Sequence, residues 1–161
     1  MTHGRRLSAA YIRNFIFGVE DGLVSTVGLL SGLAFAGQSN AVIVLTGVVL
    51  IFVEGFSMAV GSFLSEYAAE EYERRAEVSP RHSIAEGVIM FFSYLVSGFI
   101  PLAPYLFASG MFAMWISVGL SLAALLILGI IAARLAHVSL VRHGLRMVLV
   151  GGLAIVIGML V

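Results

Sequence analysis

Long apolar runs separated by short polar stretches dominate the pattern of this chain. A helix needs about 20 residues to cross the hydrocarbon core of a bilayer, and five of these runs are close to or above that length. They cover residues 14–35, 41–64, 87–107, 110–133 and 145–161, and the second continues as a polar helical pattern to about residue 78. The pattern therefore predicts an all-α membrane protein, a single domain of five transmembrane helices.

The positive charges indicate how these helices are oriented. All nine basic residues are arginines, and they lie before the first span, between the second and third, and around the connection from the fourth to the fifth. The two remaining connections carry no charge. Because arginines accumulate on the cytoplasmic side of a membrane, this asymmetry predicts a cytoplasmic N-terminus and an external C-terminus.

Composition supports a membrane protein and restricts the available chemistry. With 60% hydrophobic and 11% charged residues, the chain has too little polar surface to cover a soluble globule. Cysteine is absent, so the seven methionines are the only sulfur ligands. The N-terminal stretch has no small-residue cleavage site, so we expect no signal peptide, and with the arginine-only basic set this predicts a prokaryotic cytoplasmic membrane.

Small residues in the first span predict close helix packing. Glycines four residues apart let helix backbones approach each other, so the face that Asp21 shares with Ser25 is expected to meet another helix or a symmetry mate. The small residues expected at such contacts or along a pore are Gly18, Gly22, Ser25, Gly28, Gly32 and, in the second span, Ser62. Near the end of the third span, Pro101 and Pro104 predict a kink or a helix break.

Two carboxylates lie inside apolar spans. Asp21 is about 12 Å deeper than Arg13 along a helix, and Glu54 lies within the second span. A carboxylate at mid-membrane costs about 2.5 to 3.5 kcal/mol on insertion scales, so each needs a partner, a proton or a cation. One interpretation is a protonated or hydrogen-bonded acid that ties helices together, and the other, which we favour, is a functional site.

The second span aligns further ligands with its acid. Glu54, Met58, Ser62 and Glu66 follow one another at four-residue steps and so share one helix face. Such a line is suited to a cation path, and a site of carboxylate and thioether groups favours Fe(II), with Mn, Co or Zn as competitors. The alternative is that Met58 only fills space, as methionine in an apolar helix usually does.

An acidic stripe follows the second span. Its members, expected on one cytoplasmic helix face, are Glu66, Glu70, Glu73 and Glu77. They could gather cations at the mouth of a pore, or they could belong to a solvated helix stabilised by pairs such as Glu70 with Arg74. For Glu86 we favour a capping box with Ser83 over a metal role.

Three stretches carry a resemblance to a known family. GVEDGLVSTVGLLSGLA, GFSMAVGSFLSEYAAEE and GFIPLAPYLF resemble the vacuolar iron transporter family, and the similarity runs in order from about Asn14 to Val161. The resemblance implies a five-helix homodimer whose pore lies on the two-fold axis between the first two spans. It also implies export of Fe²⁺, and often Mn²⁺, from the cytosol in exchange for protons. Asp21 matches the family's pore aspartate, and Met58 matches its pore methionine.

The chain departs from the family in two places. Leu50 occupies the position of a glutamate that lies two turns before the methionine, and Glu54, one turn before it, is the expected substitute. Full-length members also insert a metal-binding domain between the second and third spans, where this chain has only residues 66–86. The acidic stripe is the remaining candidate for that domain's role. Glu20 is outside the family pattern and is expected at a neighbouring helix or at the inner vestibule.

These observations predict a transporter in the lipid bilayer that exchanges Fe²⁺, and Mn²⁺ as a second substrate, for protons. Asp21, Glu54 and Met58 would hold metal and protons alternately, because both compete for the same carboxylate oxygens. No permanently bound cofactor and no nucleic acid are expected. The alternatives are a transporter for another cation and a non-transporting interaction module. An enzyme is disfavoured, because no nucleophile and base stand at a recognisable spacing.

Overall fold

Helices form nearly all of the chain in the computed structural model, which describes the backbone of residues 3–160 and the side chains of residues 9–160. The elements are α1 (His3–Phe35), α2 (Asn40–Arg74), α3 (Arg81–Leu102), α4 (Pro104–Phe107), α5 (Gly110–Ala136) and α6 (Leu140–Leu160). No strand occurs in this described part. The predicted all-α class is therefore confirmed.

Five helices, all except the short α4, are long and apolar enough to cross a membrane. Even the shortest, α6 with 21 residues, reaches about 30 Å at 1.5 Å per residue. This length matches the hydrocarbon core of a bilayer. The predicted number of membrane-spanning helices is confirmed, and the chain is an integral membrane protein.

The helix directions bring the described arginine side chains to one end of the bundle. Arg13 near the start of α1 contacts Glu66 near the end of α2 and lies 3.9 Å from Glu86 near the start of α3. The end of α5, which carries Arg134, packs against the start of α6, where Gly129 faces Gly144. We call this the arginine-bearing end. Its cytoplasmic location remains a prediction.

Helix α1 is the centre of the bundle, because it contacts α2, α3, α5 and α6. Its first half packs against α3, where a Cβ on Gly22 would lie 2.6 Å from the Tyr94 carbonyl oxygen. Its second half packs against α6, where a Cβ on Gly32 would lie 2.2 Å from the Gly158 carbonyl oxygen. Backbones can approach this closely only without side chains, so the predicted glycine packing is present, and it involves two different helices.

A break separates α3 from α4, as the two prolines predicted. Helix α3 ends at Leu102, and Pro104 begins α4 without an N–H to continue the earlier hydrogen-bond ladder. The Ser117 hydroxyl of α5 donates to the Pro101 carbonyl at 2.7 Å, within the buried interior. A side chain of a neighbouring helix thus satisfies a carbonyl at the break, as an apolar environment requires.

Helix α2 is shorter than predicted on its polar side. It ends at Arg74 rather than near residue 78, and Arg75 adopts the left-handed conformation with φ 49°. Pro80 follows shortly as the residue before α3, so the chain reverses direction here. Glu77 lies in this connection, and the prediction that it continues the helical stripe is wrong.

The expected starts of α3 and α6 also change. Helix α3 begins at Arg81 with Pro80 at the N-cap and no side-chain cap, so the capping box of Ser83 with Glu86 is wrong. Both residues already lie inside the helix, and their side chains are buried. Helix α6 begins at Leu140, earlier than the predicted start near residue 145.

We expect Gly158→Ala to destabilise the protein by about 1–3 kcal/mol, because overfilling a tight contact forces backbones apart. A Cβ at this position would lie 2.1 Å from the Gly28 carbonyl oxygen. The measurement is the thermal unfolding midpoint in detergent. Gly152→Ala is the matched control on the same helix, since a Cβ there meets nothing within 4 Å. Equal midpoints for the two variants would contradict the proposed backbone contact.

Candidate functional site

An open cavity of about 900 Å³ lies where α1 and α2 face each other towards the arginine-bearing end. We call it the inner cavity. Its polar lining residues are Arg13, Asn14, Glu20, Ser57, Ser62, Ser65 and Glu66. Two methionines, Met58 and Met90, complete the potential ligand set. The cavity therefore combines hard carboxylate oxygens with softer thioether sulfurs, both of which can bind transition metals.

The predicted ligand line of α2 is only partly present in this cavity. Met58, Ser62 and Glu66 line it together, and Met58 lies about 12 Å from Glu66 along the helix axis. Glu20 of α1 joins them, which places this residue at the vestibule, one of the two expected locations. Glu54 is not among the residues that line the inner cavity.

Glu54 instead belongs to a hydrogen-bonded chain that we call the Tyr94 bridge. The Tyr94 hydroxyl donates to Glu54 Oε2 at 2.8 Å, and it lies 2.6 Å from the Ser25 hydroxyl. Ser25 also donates to the Asp21 backbone carbonyl at 2.7 Å. The bridge thus connects the Glu54 carboxylate with the backbone carbonyl of Asp21 through α3, which sequence reasoning had not assigned to the site.

Asn14 forms a second polar junction, which we call the Asn14 hub. Its side-chain amide donates to Glu86 Oε2 at 3.0 Å, and its carbonyl oxygen accepts a bond from the Ser62 hydroxyl at 2.9 Å. All three side chains are buried. The hub joins α1, α2 and α3, and it gives the buried Glu86 carboxylate the partner that a buried charge requires.

A smaller cavity of about 410 Å³ lies on the polar side of the hub, and we call it the mouth cavity. Its acidic and basic lining residues, together with one histidine, are Arg13, Glu66, Glu70, Glu73, Arg74, His82 and Glu86. Three of the four acids predicted for the stripe therefore reach one cavity. Glu70 also pairs with Arg74 at 2.6 Å, so the two interpretations of the stripe are both compatible with this geometry.

A complete metal site does not exist within one chain as the structure describes it. In the described part, no three His, Cys, Asp or Glu side chains converge closely enough to hold a metal ion. Asp21 and Glu54 lie at the Tyr94 bridge, whereas Met58 lines the inner cavity. A metal bound by these residues would require additional donors, such as the same residues from a second copy.

Sequence reasoning missed Asn14, Tyr94 and the location of Glu86. The available signal was weak for each: Asn14 is an amide at the edge of a span, and Tyr94 is a phenol in the middle of one. Buried polar groups need hydrogen-bond partners, so these two side chains marked helix contacts. Nothing in their spacing identified the partner helix.

Comparison with known proteins adds family information to this geometry. The model of the VIT family matches residues 12–83 and 73–161. Vacuolar iron transporter 1 of Oryza sativa subsp. japonica is 25% identical over 79% of this chain and 74% of its own length. An uncharacterized protein of Methanocaldococcus jannaschii is 25% identical over 90% of this chain and 84% of its own length.

Other matches are shorter. Vacuolar iron transporter homolog 3 of Arabidopsis thaliana is 35% identical over 65 residues, which are 40% of this chain and 32% of that protein. The chain therefore spans about a third of the length of such a relative. These matches support common ancestry, and they leave the activity of this chain to be argued from its own residues.

We expect Asn14→Leu to destabilise the protein by about 1–3 kcal/mol, because the buried Glu86 carboxylate loses its amide donor. The measurement is the thermal unfolding midpoint in detergent. The double variant Asn14→Leu with Glu86→Leu removes both polar partners and should recover part of this loss. Additive effects of the two substitutions would show that the hub is not energetically coupled.

Proposed function

Because this chain belongs to the VIT family, we propose that it transports Fe²⁺, with Mn²⁺ as a second substrate, across a membrane in exchange for protons. The inner cavity is the observation that carries this proposal. It brings Glu20 of α1 together with Glu66 and Met58 of α2, and of the two acids Glu66 is paired with Arg13. A carboxylate on a membrane-spanning helix needs a partner, a proton or a cation. A bound cation would compensate the charge of these carboxylates.

The chemistry of the lining supports a transition metal as cargo. Carboxylates bind hard divalent ions, and the Met58 thioether adds a soft ligand that later transition metals accept. Protons bind the same carboxylate oxygens, so metal and proton exclude each other at Asp21 and Glu54. Such competition provides exchange without a separate proton path. The acidic lining of the mouth cavity would attract divalent cations before they reach this site.

A homodimer completes the proposed site. The face of α2 that borders the inner cavity carries exposed Ser57, Gly61 and Ser65 at four-residue steps. Small residues at this spacing let a second helix approach closely. A two-fold axis beside this face would duplicate Met58 and the nearby acids, and it would supply the donors that one chain lacks.

The positive-inside rule gives the orientation of the proposed transporter. The arginine-bearing end, and with it the mouth cavity, would face the cytosol, so cytosolic metal would meet the acidic mouth cavity first, as export from the cytosol requires. Similarity to a protein of Methanocaldococcus jannaschii over most of the chain supports a prokaryotic cytoplasmic membrane as the location.

One observation favours a second candidate, a non-transporting interaction module. Glu54 is already hydrogen-bonded to Tyr94, as an acid that only ties helices together would be. The mouth cavity would then dock the basic surface of a soluble partner. Metal flux distinguishes the two candidates, because an interaction module gives none.

We expect Asp21→Asn to lower Fe²⁺ uptake into proteoliposomes by at least about tenfold, equal to ~1.4 kcal/mol. The physical reason is the loss of an anionic ligand that binds both metal and proton. Metal entry and lumenal pH are followed together in an imposed pH gradient, with Met58→Leu as a second test of the soft ligand.

Glu71→Gln is the control for this experiment, because it removes an acid of α2 that lines neither cavity. It should transport like the wild type. Absence of flux for Fe²⁺, Mn²⁺, Co²⁺ and Zn²⁺ from a folded wild-type dimer would refute the transporter and leave the interaction module.

We expect Gly61→Trp to dissociate the dimer, because a bulky side chain blocks close approach of two α2 helices. Light scattering coupled to size-exclusion chromatography measures the mass in detergent. Gly119→Trp on α5 is the matched control, since a Cβ at either glycine meets nothing within 4 Å of its own chain. Equal masses for both variants would place the dimer contact elsewhere.

A further inference from the structure

We infer that Arg13 is a tethered cation that controls entry of positively charged solutes from the mouth cavity into the inner cavity. Two residues, Arg13 and Glu66, line both cavities. Their side chains are in direct contact, so an ion pair occupies the junction between the cavities. A role of Arg13 in transport rests on the proposed function. Its effect on the entry of charged solutes into the inner cavity does not.

The two sides of the ion pair differ in their exposure to solvent. The Arg13 side chain is 60% exposed, whereas the Glu66 side chain is 26% exposed and that of Glu86 only 5%. Glu86 is also held by the amide of Asn14. The guanidinium can therefore leave towards solvent, while the carboxylates it neutralises remain in place.

Charge determines what this arrangement admits. Among the described residues that line the inner cavity, Arg13 carries the only positive charge. A cation moving inward must approach the guanidinium, which repels it, or replace it at Glu66. A divalent ion is attracted to Glu66 and Glu86 by twice the charge of a monovalent ion at the same distance. The guanidinium also repels the divalent ion twice as strongly, so the contribution of Arg13 hinders divalent cations more than monovalent ones.

The plainer interpretation is that this ion pair only ties α1 to α2. Exposed ion pairs are usually worth about 0–1 kcal/mol, and removal of either partner would then have similar consequences. The inferred role predicts opposite consequences instead. Loss of Arg13 should ease entry of a cation, and loss of Glu66 should leave the guanidinium unneutralised and hinder entry.

Thiol labelling tests this difference without any metal. Because the chain contains no cysteine, Met58→Cys introduces a single reporter in the inner cavity, and Ala69→Cys introduces one in the mouth cavity. Proteoliposomes are treated from outside with a membrane-impermeant cationic methanethiosulfonate, and separately with an anionic one of similar size. The Ala69→Cys reporter gives the fraction of molecules with the arginine-bearing end outward.

In the Met58→Cys background, Arg13→Gln should accelerate labelling by the cationic reagent about fivefold, the upper range for an exposed ion pair. It should slow labelling by the anionic reagent. Glu66→Gln should have the opposite effect on both rates. Arg74→Gln, which removes the ion pair with Glu70 in the mouth cavity alone, should change neither. Rates at the Ala69→Cys reporter should change less in the Arg13 variant than rates at the Met58→Cys reporter, because the mouth cavity lies outside the junction.

If Arg13→Gln accelerates labelling by both reagents, the packing has loosened and the inference is overturned. Unchanged labelling rates would also overturn it. If Arg13→Gln does not fold, the Glu66→Gln variant decides alone, because faster or unchanged cationic labelling contradicts a tethered cation. Metal flux is measured separately, in protein that retains Met58. If labelling changes as expected but no flux is found, the proposed transport is refuted and the role of Arg13 at the junction is supported. If flux is found but the Arg13 and Glu66 variants do not alter labelling, the role of Arg13 is refuted and the proposed transport is supported.

Discussion

A polar group inside a bilayer has no water to bond, so it needs a hydrogen-bond partner within the protein. In this chain, such bonds hold the helices together. Glu54 is bonded to Tyr94, and Glu86 is bonded to Asn14. Each bond joins two different helices. The acids therefore serve the fold even before any cation arrives. A functional carboxylate in this position must retain its structural partner or exchange it, which connects ligand binding to helix position.

This coupling gives α3 an unexpected importance. The first two spans carry the acids and the methionine, but both hydrogen-bonded chains pass through α3 by way of Tyr94 and Glu86. A cation that attracts Glu54 competes with the Tyr94 hydroxyl for the same oxygens. The strength of the Tyr94 bond is therefore one determinant of how readily Glu54 becomes a ligand.

The sequence predicted the features that depend on local pattern. Apolar length predicted the five spanning helices, Pro101 and Pro104 predicted the break, and glycine spacing predicted close contacts of α1. The errors arose where local pattern competes with the surroundings. The S-x-x-E motif before the third span matched a capping box, but the helix begins two residues earlier, at Arg81, so Ser83 is not its N-cap. Glu77 fitted the helical stripe, but the chain reverses after Arg75.

Partners across helices could not be predicted, because they depend on how far one helix slides along another. Tyr94 faces Ser25 and Glu54 only in the particular register of α3 against α1. The same register aligns Gly22 with Ser97. One backbone contact and one polar bridge thus share a single geometric cause, which no single segment of sequence contains.

The two glycine contacts of α1 also have a mechanical consequence. Its first half is fixed to α3 through Gly22, and its second half is fixed to α6 through Gly32. Both contacts bring helix backbones together, with only the Ser97 side chain beside Gly22, so neither tolerates much sliding. Any rocking of α6 against α3 would have to twist the short segment between them, which contains Ser25. Helix α1 therefore couples the positions of α3 and α6, and the coupling segment begins at Gly22, next to the intramembrane aspartate.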